Sequence, residues 1–121
     1  MASTHTQKTL LTAQTLAAAT GLNATEWNLS TAYGGIAAVK LTNGATAPTT
    51  APLVQFFVGE STGTKRLFYQ ASGDTVNNSV NHIVCELPPA TMFANITVTW
   101  GATTGSATNG VEAYGQELTT I

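Results

Sequence analysis

From residue 33 onward the chain alternates short apolar runs with turn clusters. Residues 94–100 carry the cleanest pattern: Ala94, Ile96, Val98 and Trp100 alternate with Asn95, Thr97 and Thr99. Successive strand side chains point to opposite faces, so period-two text sets one face in a core and the other in solvent. Strand-like runs also cover residues 35–42, 53–58, 65–71, 79–87 and 111–118. Asn43-Gly44 closes the first of them with a strong turn dipeptide. Residues 45–52 form a Thr/Pro loop, Ser72-Gly73-Asp74 and Asn77-Asn78 punctuate another, and residues 101–110 a third. Pro88-Pro89 ends the strand before it, because proline cannot donate to a ladder. Turn signals every ~8–12 residues with strands between them predict an all-β fold. The expected architecture is a single antiparallel β-sandwich, jelly-roll-like.

The first third is patterned differently. By its Ala and Leu content, the stretch over residues 9–20 suits a short helix. Yet Leu11, Ala13, Thr15 and Ala17 also alternate, and its threonines disfavour a helix. The preferred reading is an N-terminal arm or edge strand over residues 1–20, followed by a sandwich domain over residues 21–121. Leu10, Leu11 and Leu16 stand out among Thr and Ala in that arm. Such a segment can add a strand to a neighbour's exposed edge through backbone hydrogen bonds. The arm is therefore expected to order on a partner, and a chain without residues 2–12 to stay folded.

One strand is apolar on both faces. Val54, Phe56 and Val58 load one side of residues 53–58; Leu53 and Phe57 load the other, interrupted only by Gln55. A half-exposed antiparallel strand is expected to be polar on its second face. Leu53 and Phe57 are therefore expected at an oligomer interface.

Composition narrows the function classes. The chain has 121 residues, enough for one domain with a core and no need of disulfides or metal. Only 8% of residues are charged, the net charge is −2, and the cations are Lys8, Lys40, Lys65 and Arg66. Nucleic-acid binding needs clustered cations, and anionic lipid a polybasic run; neither is present. No apolar run approaches the ~20 residues of a membrane span, and the N-terminus lacks a signal-peptide layout. Folding in a cytosol is expected. The polarity of the chain comes from Thr and Asn more than from Lys and Glu.

Candidate chemistry is sparse. Gly59-Glu60-Ser61-Thr62-Gly63 matches the nucleophile elbow G-x-S-x-G. An elbow needs strand, strained turn, then helix. Here the residues after Gly63 are again strand-like, so the match reads as a hairpin. Triad partners are few: the one aspartate is Asp74, and the histidines are His5 and His82. His82 reads as a sheet-surface residue, opposite in facing to Ile83 and Cys85. Glu86 and Glu112 read as two solvated glutamates and not as a glycosidase pair. Cys85, the only cysteine, reads as a small apolar filler. No Cys/His cluster has zinc spacing, and no Gly-rich phosphate loop opens a helix. No catalytic residue, cofactor or metal is expected. Trp27, in the polar stretch of residues 23–30, is a candidate for a contact surface.

Several segments resemble small virion structural proteins of tailed bacteriophages. They are Tyr33-Gly34-Gly35 leading into Ala37, Val39, Leu41, Thr42, Asn43 and Gly44; Leu87-Pro88-Pro89; and the ending Val111-Glu112-Ala113-Tyr114-Gly115-Gln116-Glu117-Leu118-Thr119. The likeness is to a head decoration, or cement, protein. It implies a non-enzymatic β-sandwich, an N-terminal arm on the shell, a homotrimer, and the major capsid protein as partner. It further implies a virion location after assembly in the host bacterial cytoplasm. Capsid contacts would then come from Leu10, Leu11, Leu16 and Trp27. The rival reading is a tail or fibre module that binds host-surface carbohydrate through aromatic rings.

Overall fold

A computed structural model describes residues 4–16, 21–24, 26–44, 50–61, 64–89, 91–99 and 109–120. Nine strands are described: β1 (Thr4–Leu16), β2 (Gly21–Asn23), β3 (Trp27–Asn28), β4 (Gly35–Asn43), β5 (Leu53–Ser61), β6 (Thr64–Ser72), β7 (Val80–Leu87), β8 (Phe93–Thr99) and β9 (Asn109–Thr120). Among the described residues, no helix is long and apolar enough to cross a membrane.

The strands form two sheets, and every pairing is antiparallel. One sheet runs β1-β9-β4-β7; the other runs β2-β8-β5-β6, with β3 also paired to β8. Such interleaved orders, with few sequential neighbours, make the two-sheet jelly roll. The fold is the all-β sandwich that the alternation predicts.

Packing follows that alternation. Ala37, Val39 and Leu41 of β4 turn inward, as do Val54 and Phe56 of β5, Ile83, Cys85 and Leu87 of β7, and Ala94, Ile96 and Val98 of β8. Val111 and Ala113 of β9 complete that layer, with Trp27 and Leu29 packed among them. Trp100, expected in the core, lies outside the described residues, as does most of the loop over 101–110.

Of the two readings of the N-terminal segment, arm or edge strand, the described residues take the edge strand. β1 is the edge strand beside β9, and its register carries shifts between Thr9 and Leu11 and between Leu11 and Gln14. Each shift inserts one extra residue on β1, the count of a β-bulge. The first bulge explains why two successive residues, Leu10 and Leu11, are both buried, each 6% exposed. Regular alternation would have sent one of them to solvent. Residues 17–20 lie outside the described residues.

Candidate functional site

The hairpin between β5 and β6 decides the Ser61 question. Ser61 ends β5 and pairs with Thr64, which opens β6. A strand follows the turn where an elbow requires a helix. Residues 62–63, within the motif, lie outside the described residues.

Glu86 and Glu112 share the outer face of one sheet but lie in different rows. Glu86 sits opposite Ile36, and Glu112 opposite Lys40. They stand two strands and four residues apart, roughly 17 Å at ordinary strand spacings. A glycosidase pair needs ~5–10 Å. Each has its own surroundings: Lys40 Nζ lies 3.7 Å from Glu112 Oε1, and Tyr114 Oη donates to Glu112 Oε2 at 3.1 Å. That donated hydrogen bond, then the carboxylate's charge, holds the Tyr114 phenol above its usual range.

Cys85 is buried, and burial pushes its thiol up, away from the reactive thiolate. His82 is exposed on the outer face of β7. His5 lies on β1, opposite Leu118. Among the described residues, no three His, Cys, Asp or Glu side chains gather as a metal site.

Asp74 belongs to a loop anchor. Asn43, at the end of β4, is 2% exposed, and its Nδ2 lies within reach of Asp74 Oδ1, Val76 O and Ser79 Oγ at 3.0–3.2 Å. The Ser79 hydroxyl and the Val76 amide donate to Asp74 Oδ1, and they hold its carboxyl below the usual range. Asn78 takes a positive φ of 60° in this loop, and its amide donates to Gly44 O. The Asn-Gly turn and the Asn-Asn punctuation are thus two ends of one structure. Its chemistry is structural.

The residues proposed for capsid contact are placed elsewhere. Leu10 and Leu11 sit in the chain's own core, and the side chain of Leu16 lies outside the described part. Trp27 is 4% exposed, its indole packed over Gly35 and Gly115. Leu10, Leu11 and Trp27 are thus buried within this chain's own fold and present little side-chain surface from it. Leu53 and Phe57 lie half-buried on β5, between β6 and β8. Phe57 faces Leu67 on one side and Asn95 on the other.

Exposed apolar surface gathers instead on β6 and β7. Leu67, Phe68 and Tyr69 of β6 and Val80 and Val84 of β7 are all exposed. Between these strands runs an open groove of about 350 Å³, lined by Phe68, Tyr69, Val84, Cys85 and Glu86. Phe68 is the extra residue of a bulge: Phe56 pairs with Tyr69, and Phe57 with Leu67. Bulges re-aim side chains in this way. The tyrosine ring leans on the core, 5.9 Å from the ring of Phe56. Sequence reasoning missed this surface, though β7 carried the same two-faced signal as β5: valines opposite Ile83, Cys85 and Leu87.

No family model matches the sequence. No curated protein matches it either. Solved structures share the fold. A structure of the disulfide-linked pili of Bacillus endospore appendages aligns with 100% of this chain and 93% of its own, at a TM-score of 0.56 and 20% identity. A chain of infectious bursal disease virus, Gx strain, aligns at 0.61 and 9% identity; this chain spans 96% of itself there and 32% of the viral chain. The Yersinia pseudotuberculosis-derived mitogen aligns at 0.52 and 8% identity, over 97% of this chain and 87% of the mitogen. At such identities the likeness is one of fold.

Proposed function

We propose that the chain is a non-enzymatic structural protein of a phage virion, a decoration protein that stabilises the head by bridging neighbouring capsid subunits. The observation that carries this reading is the exposed apolar run Leu67-Phe68-Tyr69 on the edge strand β6, in which Phe68 is the extra residue of a bulge. Contiguous exposed apolar surface marks interaction sites. Lys65, ion-paired with Glu26, and the exposed Arg66 precede it on the same strand. Jelly rolls serve as building blocks of viral particles and lectins, and the structural neighbours include a virus and a pilus.

The mechanism is thermodynamic. A protein that binds the assembled shell, but not its separated parts, stabilises the shell by mass action. Many symmetric copies add avidity, so each contact can be modest. The major capsid protein is the partner, and β6 replaces the N-terminal leucines as the contact.

Immunogold labelling of the particle tests the reading. Label over the head supports it. Label on the tail or fibre moves the protein to the rival class, carbohydrate binding, for which Tyr33, Phe68 and Tyr69 are exposed rings. Phe68→Ala should weaken binding to purified shells by ~30-fold or more, as expected of a central aromatic contact. Unchanged binding would remove β6 from the contact.

A further inference from the structure

A sandwich has open edges, and proteins protect them with short strands, bulges and lysines. Three of the edges here are protected. β1 carries Lys8 and its two bulges. On the far side of the other sheet, β2 and β3 have three and two residues. β6 carries the exposed Arg66 and the Phe68 bulge.

β7 is the exception. It runs eight residues, and its register against β4 is unbroken from Val80 to Leu87. It contains no lysine, arginine or proline. Among the described residues it pairs with β4 alone. Its outward side chains are Val80, His82, Val84 and Glu86, and Val84 is 56% exposed. An unbroken, unguarded edge is a template for another strand.

The outward sequence says which strand fits. Pair β7 antiparallel with a second β7 so that Val84 meets Val84. His82 then meets Glu86 of the second copy, and Glu86 meets its His82. Imidazole N–H groups face carboxylates twice, around an apolar centre. Other two-fold registers lose this match. A dyad at Ile83 sets Val80 against Glu86, and one at Cys85 sets Val84 against Glu86. Cross-strand pairs of opposite charge or of apolar side chains are favourable, so they select the register. The row continues inward, since Lys40 lies opposite His82 and forms an ion pair with Glu112.

We propose that β7 is an interface between copies of this chain, in which two β7 strands pair about a two-fold axis at Val84 and join their sheets into one. The contact is isologous and makes a dimer, whereas the decoration-protein resemblance implies a trimer. The shell-binding reading uses β6, whose Phe68 and Tyr69 share a groove with Val84 and Glu86 of β7.

A cysteine pair tests the geometry. In a Cys85→Ala background, Val84→Cys sets two cysteines directly opposite each other. Their Cα atoms would be about 4.5–5.5 Å apart, within the ~4.4–6.8 Å of a disulfide. Val80→Cys lies on the same face, but its copies would be roughly 27 Å apart. Mild oxidation should convert the first variant from 12.5 kDa chains to a covalent dimer and leave the second as monomer. Sedimentation tests the charge match with the native cysteine kept, so it stands even if the alanine background does not fold. Glu86→Lys should weaken the dimer by ~10-fold or more, and the further change His82→Glu should restore it. A wild-type monomer or trimer at micromolar concentration overturns the proposal. So does equal cross-linking at both positions, none at 84, or a dimer indifferent to Glu86→Lys.

Discussion

The indole N–H of Trp27 donates to Glu117 Oε1 at 2.6 Å, and both side chains are buried. Trp27 belongs to β3, on one sheet, and Glu117 to β9, on the other. The bond therefore ties the two sheets together across the core. Glu117→Ala should leave the indole N–H without its acceptor and cost about 1–3 kcal/mol. Glu117→Gln keeps an amide oxygen and should cost less. Urea denaturation of the two variants measures the difference; equal losses would mean that the hydrogen bond does not hold the sheets.

The same indole fixes a glycine. A Cβ at position 115 would lie 2.6 Å from Trp27 Cη2, closer than real contacts allow. Gly115→Ala should push the ring from its seat and cost about 1–3 kcal/mol, as overpacking does. Tryptophan fluorescence should shift with it. An alanine variant with wild-type stability and spectrum would show that the seat is loose.

Where the sequence is legible, one physical rule is at work. β8 and β4 lie in sheet interiors with one face buried, so period two survives in their residues. β1 was harder to read because its bulges set Leu10 and Leu11 side by side, both inward. The burial of Trp27 is not legible in the sequence because β2 and β3 are too short to show a period. Its hydrogen-bond partner is 90 residues away, beyond any local pattern. Asp74 was legible as a turn residue, but nothing local tied it to Asn43, 31 residues earlier.

That loop carries a pH dependence. The Ser79 hydroxyl and the Val76 amide hold the Asp74 carboxyl below its usual range. A group whose folded pKa is depressed contributes stability above its unfolded pKa, near ~4, and loses it as pH falls through the folded value. Wild type should therefore exceed Asp74→Asn in urea midpoint at neutral pH. The gap should close as the solution is acidified below about pH 4. A gap that stays constant across that range would show that ionised Asp74 adds nothing to the loop.

Truncation tests the place of the N-terminal strand. If residues 2–12 were a docking arm, their deletion would leave a folded sandwich that fails only to bind. The structure points the other way. Leu10 and Leu11 lie in the core, and β1 covers the edge of β9 along nearly its whole length. Burial of a leucine contributes about 1.5–3 kcal/mol, so the pair supplies roughly 3–6. A domain of this kind has only about 5–15 kcal/mol in all. The deletion also strips β9 of hydrogen-bond partners and leaves its edge open. The truncated chain should therefore lose its cooperative thermal transition and aggregate. Circular dichroism melting and size exclusion would show both. A soluble truncated chain with a wild-type melting curve would return β1 to the role of a detachable arm, and the leucines to the list of capsid contacts.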